Sequence, residues 1–241
     1  MPPFQQPAYD ALTAFGIGGM AILVALIFIW MVGRGKRGLM AGMLASVAGI
    51  MAVTGVLACT GLMADQNAPL PPMAPMIVLV LLLALRGGMG PLGTHMKTEV
   101  SLVALIGLQM FRLPLELIMH NAANVGIMPQ ALSYSGYNFD IVTGIGALLL
   151  FVALKMGATV PAVVVWIWNL IGVYCLIAIV IIAIATSPMV HALGTEPQNL
   201  NTWVLYFPYI WLPVVLVTIA MISHIVITRK LLEMRRAPAP N

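Results

Sequence analysis

The chain is a succession of long apolar runs broken by short polar turns, and no other feature restricts its fold so severely. The runs fall at about 14–32, 39–63, 70–85, 99–119, 139–154, 160–186 and 202–227. A helix of roughly 20 apolar residues matches the ~30 Å hydrocarbon core of a bilayer. Only 7% of residues are charged and 61% are hydrophobic, whereas soluble domains carry about 25% charged residues. No polar segment is long enough to fold by itself. The expected fold is therefore all-α: one transmembrane domain over 1–241, a polytopic bundle of seven helices. Run 70–85 is short for a crossing, with prolines 71, 72 and 75 in its first turns, where missing N–H groups matter least. A re-entrant course is the alternative for it.

Charge sets the expected orientation. With seven crossings and the N-terminus outside, the inner segments hold Arg34, Lys36, Arg37, Arg86, Lys97, Lys155, Arg229, Lys230, Arg235 and Arg236, ten of the eleven Lys and Arg. That asymmetry is what the positive-inside rule requires, and it makes 228–241 a basic cytoplasmic tail. If run 70–85 did not cross, Lys155 and the tail would move outside. The lead residues up to Thr13 carry no Lys or Arg, so they lack the basic start of a signal peptide. Tyr9-Asp10-Ala11-Leu12-Thr13 and Phe139-Asp140-Ile141-Val142-Thr143 open the first and fifth runs with one pattern. Three runs follow each opening, with one run between the triplets. This suggests a 3+1+3 parallel repeat, although short matches also arise by coincidence.

Arg112 is the one basic residue off the inner face. Arg112, Glu116 and His120 recur every four residues and line one side of a helix, with Gln109 one turn earlier. Charge at a helix centre in a bilayer costs about 2.5–3.5 kcal/mol per residue, so something must offset it. Side chains on this run tilt toward the cytoplasm, and an Arg four residues before a Glu is the weaker helical order. A partner on another helix is expected, with Asp140 and Asn169 as first choices. The expected ligand-binding residues are Arg112, Glu116, His120, Gln109, Asp140, Asn169 and Trp168. Pro114 frees the Met110 carbonyl and can kink the helix.

Several classes are disfavoured. Bis-histidine haem would need His120 with His191 or His95 with His224, and each pair includes a loop histidine. The Met40/Met43 and Met73/Met76 pairs suit copper only weakly, having no Cys or His beside them. Cys59 and Cys175 lie in apolar runs as inert thiols. No metal, haem or other cofactor is expected, and the net charge of +4 belongs to the helix ends and not to nucleic-acid binding. The last run has no lysine for a retinal Schiff base, and no catalytic set can be assigned. His224 reads as a helix-end or packed residue. Ala41, Ala45, Ala48, Gly49, Ala52 and Gly55 read as a packing stripe, and Trp203, Tyr206, Tyr209 and Trp211 as an outer aromatic belt.

At Phe111-Arg112-Leu113-Pro114-Leu115-Glu116-Leu117, Asn138-Phe139-Asp140, Trp168-Asn169-Leu170-Ile171-Gly172, and Leu212-Pro213 with His224, the chain resembles uncharacterised bacterial polytopic integral membrane proteins. The resemblance covers about 109–229 and implies no activity. In topology alone the chain is similar to SWEET-type carriers, whose proline-glutamine signatures it lacks, since Pro129-Gln130 lies in a loop. Three functional readings follow for a protein of the bacterial inner membrane. One is small-solute or ion binding and transport at Arg112/Glu116. Another is a non-catalytic subunit of a larger membrane complex. The third is a membrane enzyme using Glu116 and His120. Expected partners are the lipid bilayer, a small solute, and further copies or other subunits.

Overall fold

The computed structural model describes residues 6–65 and 70–236. Parts of the lead, of the loop before the third run and of the tail (1–5, 66–69 and 237–241) lie outside the described residues. The described residues form α-helices, short 3₁₀ turns and one π segment, with no strand. Five helical runs are long and apolar enough to cross a membrane, and a sixth is if one bent pair counts as a single span.

Helix α1 (Ala11–Gly33) starts at Asp10, whose carboxylate accepts the Thr13 N–H at 2.9 Å and its hydroxyl at 2.6 Å. This is an N-cap satisfying otherwise orphaned donors. The Thr13 hydroxyl, then its amide, hold the Asp10 carboxyl below the usual carboxylate range. A turn through Gly35, at φ 77°, leads into α2 (Arg37–Cys59). Helix α3 (Met73–Met89) breaks at Gly90, and α4 (Pro91–Glu99) leaves at a 50° bend. The residue before a proline is driven out of the helical region, and Gly90 is extended at ψ −164°. The residues between the third and fourth runs are thus mostly helical, and the third run extends past Leu85 to Met89.

Ser101 caps α5 (Leu102–Leu108), a 3₁₀ turn covers Gln109–Phe111, and α6 (Arg112–Asn124) completes the run. The tightening lies one turn before Pro114, where the missing N–H leaves the Met110 carbonyl without its α-helical donor. Helix α7 (Ile141–Lys155) is short, α8 (Ala162–Ala185) is long, and a π segment (Leu212–Val217) containing Pro213 feeds α9 (Thr218–Arg236).

Helix α9 is the centre of the bundle. It packs along α3, α4 and α8, while the π segment meets α1 and α3. Of the best span window in this last run, 67% is buried, against 22% in α2. Outward faces carry Leu23, Trp30, Val53, Leu82, Leu149, Ile167 and Ile181, a surface suited to lipid and not to water.

Three expectations are corrected here. The last run does not begin near 202. Residues 202–211 form turns, and the helix runs instead from 212 to 236, so its final turns take up much of the supposed tail. The aromatic belt is folded inward: Trp203, Tyr206 and Tyr209 are buried, and Trp211 Nε1 donates to the Met51 carbonyl at 3.0 Å. The small-residue stripe of α2 faces out except near Gly55, which lies against Phe207 and Trp211.

Basic residues gather at one end. Arg229 donates to the Gly88 carbonyl at 2.6 Å and to Thr94 Oγ1 at 3.0 Å, and Lys97 meets Glu233 at 3.0 Å. Lys36 donates to His95 Nδ1 at 3.2 Å, so His95 Nε2 donates to the Val32 carbonyl at 3.0 Å. The α1–α2 turn, α4 and the end of α9 therefore share one end of the bundle. At the other end Asn121 of α6 donates to Asp10 at 3.0 Å.

Helix α7 meets α6 through Gly144, where a Cβ would stand 2.4 Å from the Leu113 backbone nitrogen. Gly144→Ala is expected to lower stability by about 1–3 kcal/mol through overpacking. Gly49→Ala, with nothing within 4 Å, is expected to be neutral or stabilising by up to about 1 kcal/mol. Thermal unfolding of the two variants in detergent checks the contrast.

Candidate functional site

The charged stripe of α6 is met, rung by rung, by a loop that descends beside it. Arg112 Nε donates to Asp140 Oδ2 at 2.6 Å, and its Nη2 is ion-paired with Asp140 Oδ1. One turn on, Asn138 Nδ2 donates to both oxygens of Glu116, at 2.9 and 3.0 Å. One turn further, His120 Nδ1 lies 3.0 Å from Ser133 Oγ, and its ring stacks on Tyr134 at 4.3 Å. Between Arg112 and His120 the helix rises roughly 12 Å, and the loop falls by a comparable distance.

The depth of this contact follows from helix ends. Arg112 lies near the middle of the run Leu102–Asn124, about 18 Å from its far end. The head of α7 bonds directly to Arg112, so it lies at the same depth. Helix α7 itself has 15 residues, about 22 Å long and too short for the whole core. Irregular backbone at membrane depth must be buried in protein. Here the polar side chains of Ser133, Asn138 and Asp140 turn inward and are buried, while Tyr137 and Phe139 face outward. The loop also closes on itself, with Gly136 N–H donating to the Ser133 carbonyl at 2.9 Å and Tyr137 N–H to the Ala131 carbonyl at 3.1 Å. Asn138 Oδ1 accepts the Asp140 N–H at 3.1 Å, fixing the side chain that separates Glu116 from Asp140.

On its other side Arg112 meets α9. Its Nη1 lies 2.8 Å from His224 Nε2. A guanidinium only donates, so Nε2 accepts and the proton sits on Nδ1. That proton goes to Asn169 Oδ1 at 2.9 Å, Asn169 Nδ2 donates to Thr228 Oγ1 at 2.8 Å, and Thr228 donates to the His224 carbonyl at 2.9 Å. Each donor points away from Arg112. Trp168 Nε1 donates to the Thr143 carbonyl at 3.0 Å, and its ring lies tilted 5.5 Å from His224. Gly172 makes room for the imidazole, since a Cβ there would stand 2.3 Å from His224 Cε1.

Of the expected residues, Arg112, Asp140, Asn169 and Trp168 are thus in one connected group, and Glu116 joins it through Asn138. His120 belongs to the rung nearest the end of α6, with Ser133 and Tyr134. Gln109 is wholly buried near α9, with Nε2 3.5 Å from the Ala220 carbonyl and Oε1 unpartnered. Ser133, Asn138, His224 and Thr228 are participants that sequence reading passed over as site residues. His224, read from the sequence as a helix-end or packed residue, is packed and buried, and within 212–236 it is central because the run begins later than 202. Asn138 could have been found as the residue two before Asp140, on the same loop.

Helices this apolar on their outward faces, around a buried ionic cluster, define a helical membrane protein with a polar core. The chain belongs to the family described as Domain of unknown function (DUF8737), which matches residues 72–232. All the residues of the cluster fall inside that range, and α1 and α2 fall outside it. No curated protein and no solved structure matches the chain.

Removing one partner of a buried pair leaves an uncompensated charge. Asp140→Leu is expected to cost about 3–5 kcal/mol, whereas Arg112→Leu with Asp140→Leu together should recover most of that loss. Denaturant titration in mixed micelles checks both. Gly172→Val is expected to push His224 from Asn169 and alter the His224 side-chain NMR signals.

Proposed function

We propose that this is a protein of seven crossings, with the N-terminus outside and the C-terminus cytoplasmic, in a bacterial inner membrane. We further propose that the Arg112 cluster binds a small solute or ion during its transport. The carrying observation is a charge imbalance at mid-depth: two buried carboxylates, Glu116 and Asp140, face one guanidinium. An unbalanced carboxylate in low dielectric is costly. Glu116, which has only an amide donor beside it, is the natural place for a proton or a transported cation. Arg112 would hold an anionic or hydroxylated group in exchange for Asp140 or His224. A helix head at mid-membrane, reached by irregular backbone whose polar side chains turn inward, is the architecture on which transporters build such sites.

Two further observations support the reading of topology. The basic ends of α1–α2, α4 and α9 lie together, as the charge count requires. Helix α6 also supplies one partner to each Asp of the repeated opening, Asn121 to Asp10 and Arg112 to Asp140, as a linker between parallel triplets would. In the first triplet the Asp caps its own helix. In the second it turns to Arg112 and makes no side-chain cap.

The function is tested in proteoliposomes loaded with a pH-sensitive dye and given a pH step. Wild-type protein is expected to carry proton flux that Glu116→Gln lowers at least tenfold and Arg112→Leu abolishes. Flux unchanged in both variants would overturn the proposal. Firmly bound subunits on native purification would favour the cluster as helix glue in a larger complex. Topology has a separate test: a cysteine at Ala158 in a chain without Cys59 and Cys175 should react with impermeant maleimide only from the cytoplasmic side.

A further inference from the structure

A groove of about 610 Å³ runs between α1 and α7, which both pack on α5 and α6. Met20, Ile27 and Trp30 form one wall, Leu148 and Phe151 the other, and Leu108 lies in the floor. Phe151 can lie this close to α5 because residue 107 is glycine; a Cβ there would stand 2.6 Å from its ring. Leu113 and Pro114, beside Arg112, line one end, and Trp30, in the last turn of α1, lines the other. From Met20 to Trp30 the helix rises about 15 Å, half of the ~30 Å hydrocarbon core. The groove is thus one leaflet deep, and its mouth is at the end of the bundle that holds the α1–α2 turn and the basic residues. Two cations flank that mouth. Arg34 lies over the Trp30 ring at 5.5 Å and Lys155 over the Phe151 ring at 5.7 Å, each drawn to an aromatic face of the groove wall. Both are exposed. At the same end Lys36, Lys97 and Arg229 are engaged by His95, Glu233 and the Gly88 carbonyl. Neither Arg34 nor Lys155 has an ion pair among the described residues.

We propose that this groove seats an anionic phospholipid of the cytoplasmic leaflet, one acyl chain lying along α5 and α6 and the phosphate between Arg34 and Lys155. Lipid chains fill any groove that faces the bilayer, and the two unpaired cations decide which lipid stays. A headgroup with net negative charge gains from both of them. A zwitterionic headgroup brings an ammonium along with its phosphate and gains less. A transmembrane helix is the wrong length, since it spans ~30 Å and the groove stops near mid-depth. A second copy docked here about a two-fold axis would bring its own Arg34 and Lys155 to the same mouth and set like charges together. The proposal takes from the topology reading only the name of the leaflet. It makes no use of transport, and binding measured in detergent is indifferent to orientation and to flux.

The test is photolabelling of the purified full chain in detergent with a phosphatidylglycerol that carries a diazirine in mid-chain, competed by unlabelled phosphatidylglycerol or phosphatidylcholine. Labelled peptides are expected to come from α1 and from α5–α6. Phosphatidylglycerol should compete about tenfold better than phosphatidylcholine. Arg34→Gln together with Lys155→Gln should erase that preference while phosphatidylcholine competes as before, which shows that the groove is intact. Arg37→Gln together with Arg235→Gln, both exposed at the basic end, should leave the preference in place. Labelling elsewhere, or a preference unchanged without Arg34 and Lys155, would overturn the proposal. So would an equal loss in the Arg37/Arg235 pair, which would mean diffuse attraction to the basic end. Competition by chainless glycerophosphoglycerol as strong as by phosphatidylglycerol would also overturn it, leaving an anion site and not a lipid seat.

Discussion

A guanidinium in hydrocarbon has five donors and no solvent to receive them, and the bundle is arranged to supply the acceptors. Asp140 takes two, His224 a third. These acceptors come from different helices, so α6, α7 and α9 must meet at one depth, and α8 joins through Asn169. The glycines show how closely the backbones approach to allow it. Gly144 brings α7 against α6, and Gly172 leaves space on α8 for the imidazole of α9. The ionic group is thus a geometric requirement on most of the matched domain, and the short α7 is one of its consequences.

Much of this was legible in the sequence, and the failures share a cause. Apolar runs marked the helices, and the isolated charge of Arg112 marked the site, because charge at membrane depth needs compensation wherever it occurs. Asp140 followed as a partner because it is acidic and sits at a helix head. His224 did not, and the reason is a boundary. Aromatic and apolar residues from 202 to 211 have the hydropathy of a span, but Pro208 and Pro213 lie among turns and a π segment, and hydropathy does not register the difference. Moving the helix by about ten residues moves His224 from the rim to the middle. The same error placed Trp203 and Tyr209 at an interface when they are packed within the protein.

Small residues misled in another way. The stripe on α2 has the spacing of a packing face, yet most of it points outward. The glycines that bring helices together include Gly144, Gly146 and Gly172, with Gly107 against Phe151 and the Gly87–Gly88 pair of α3 against Ile222 and Ile225 of α9; none of them lies in that stripe. Hydropathy reads composition, whereas close approach depends on which side of each helix meets a neighbour. That information comes from the partners of Arg112, not from the local pattern.

The one-way run of donors from Arg112 through His224 and Asn169 to Thr228 has a mechanical consequence. Because an arginine cannot accept, none of these bonds can be reversed while it remains engaged, so the rotational settings of α6, α8 and α9 about their own axes are fixed where they cross. The fixed point is near mid-depth, and the helix ends on either side are tied by other, separate contacts. Any splaying of one end that leaves the run intact must turn about that point, with the opposite end closing. The cluster is in that sense a fulcrum, and its two arms are the halves of the bundle above and below it.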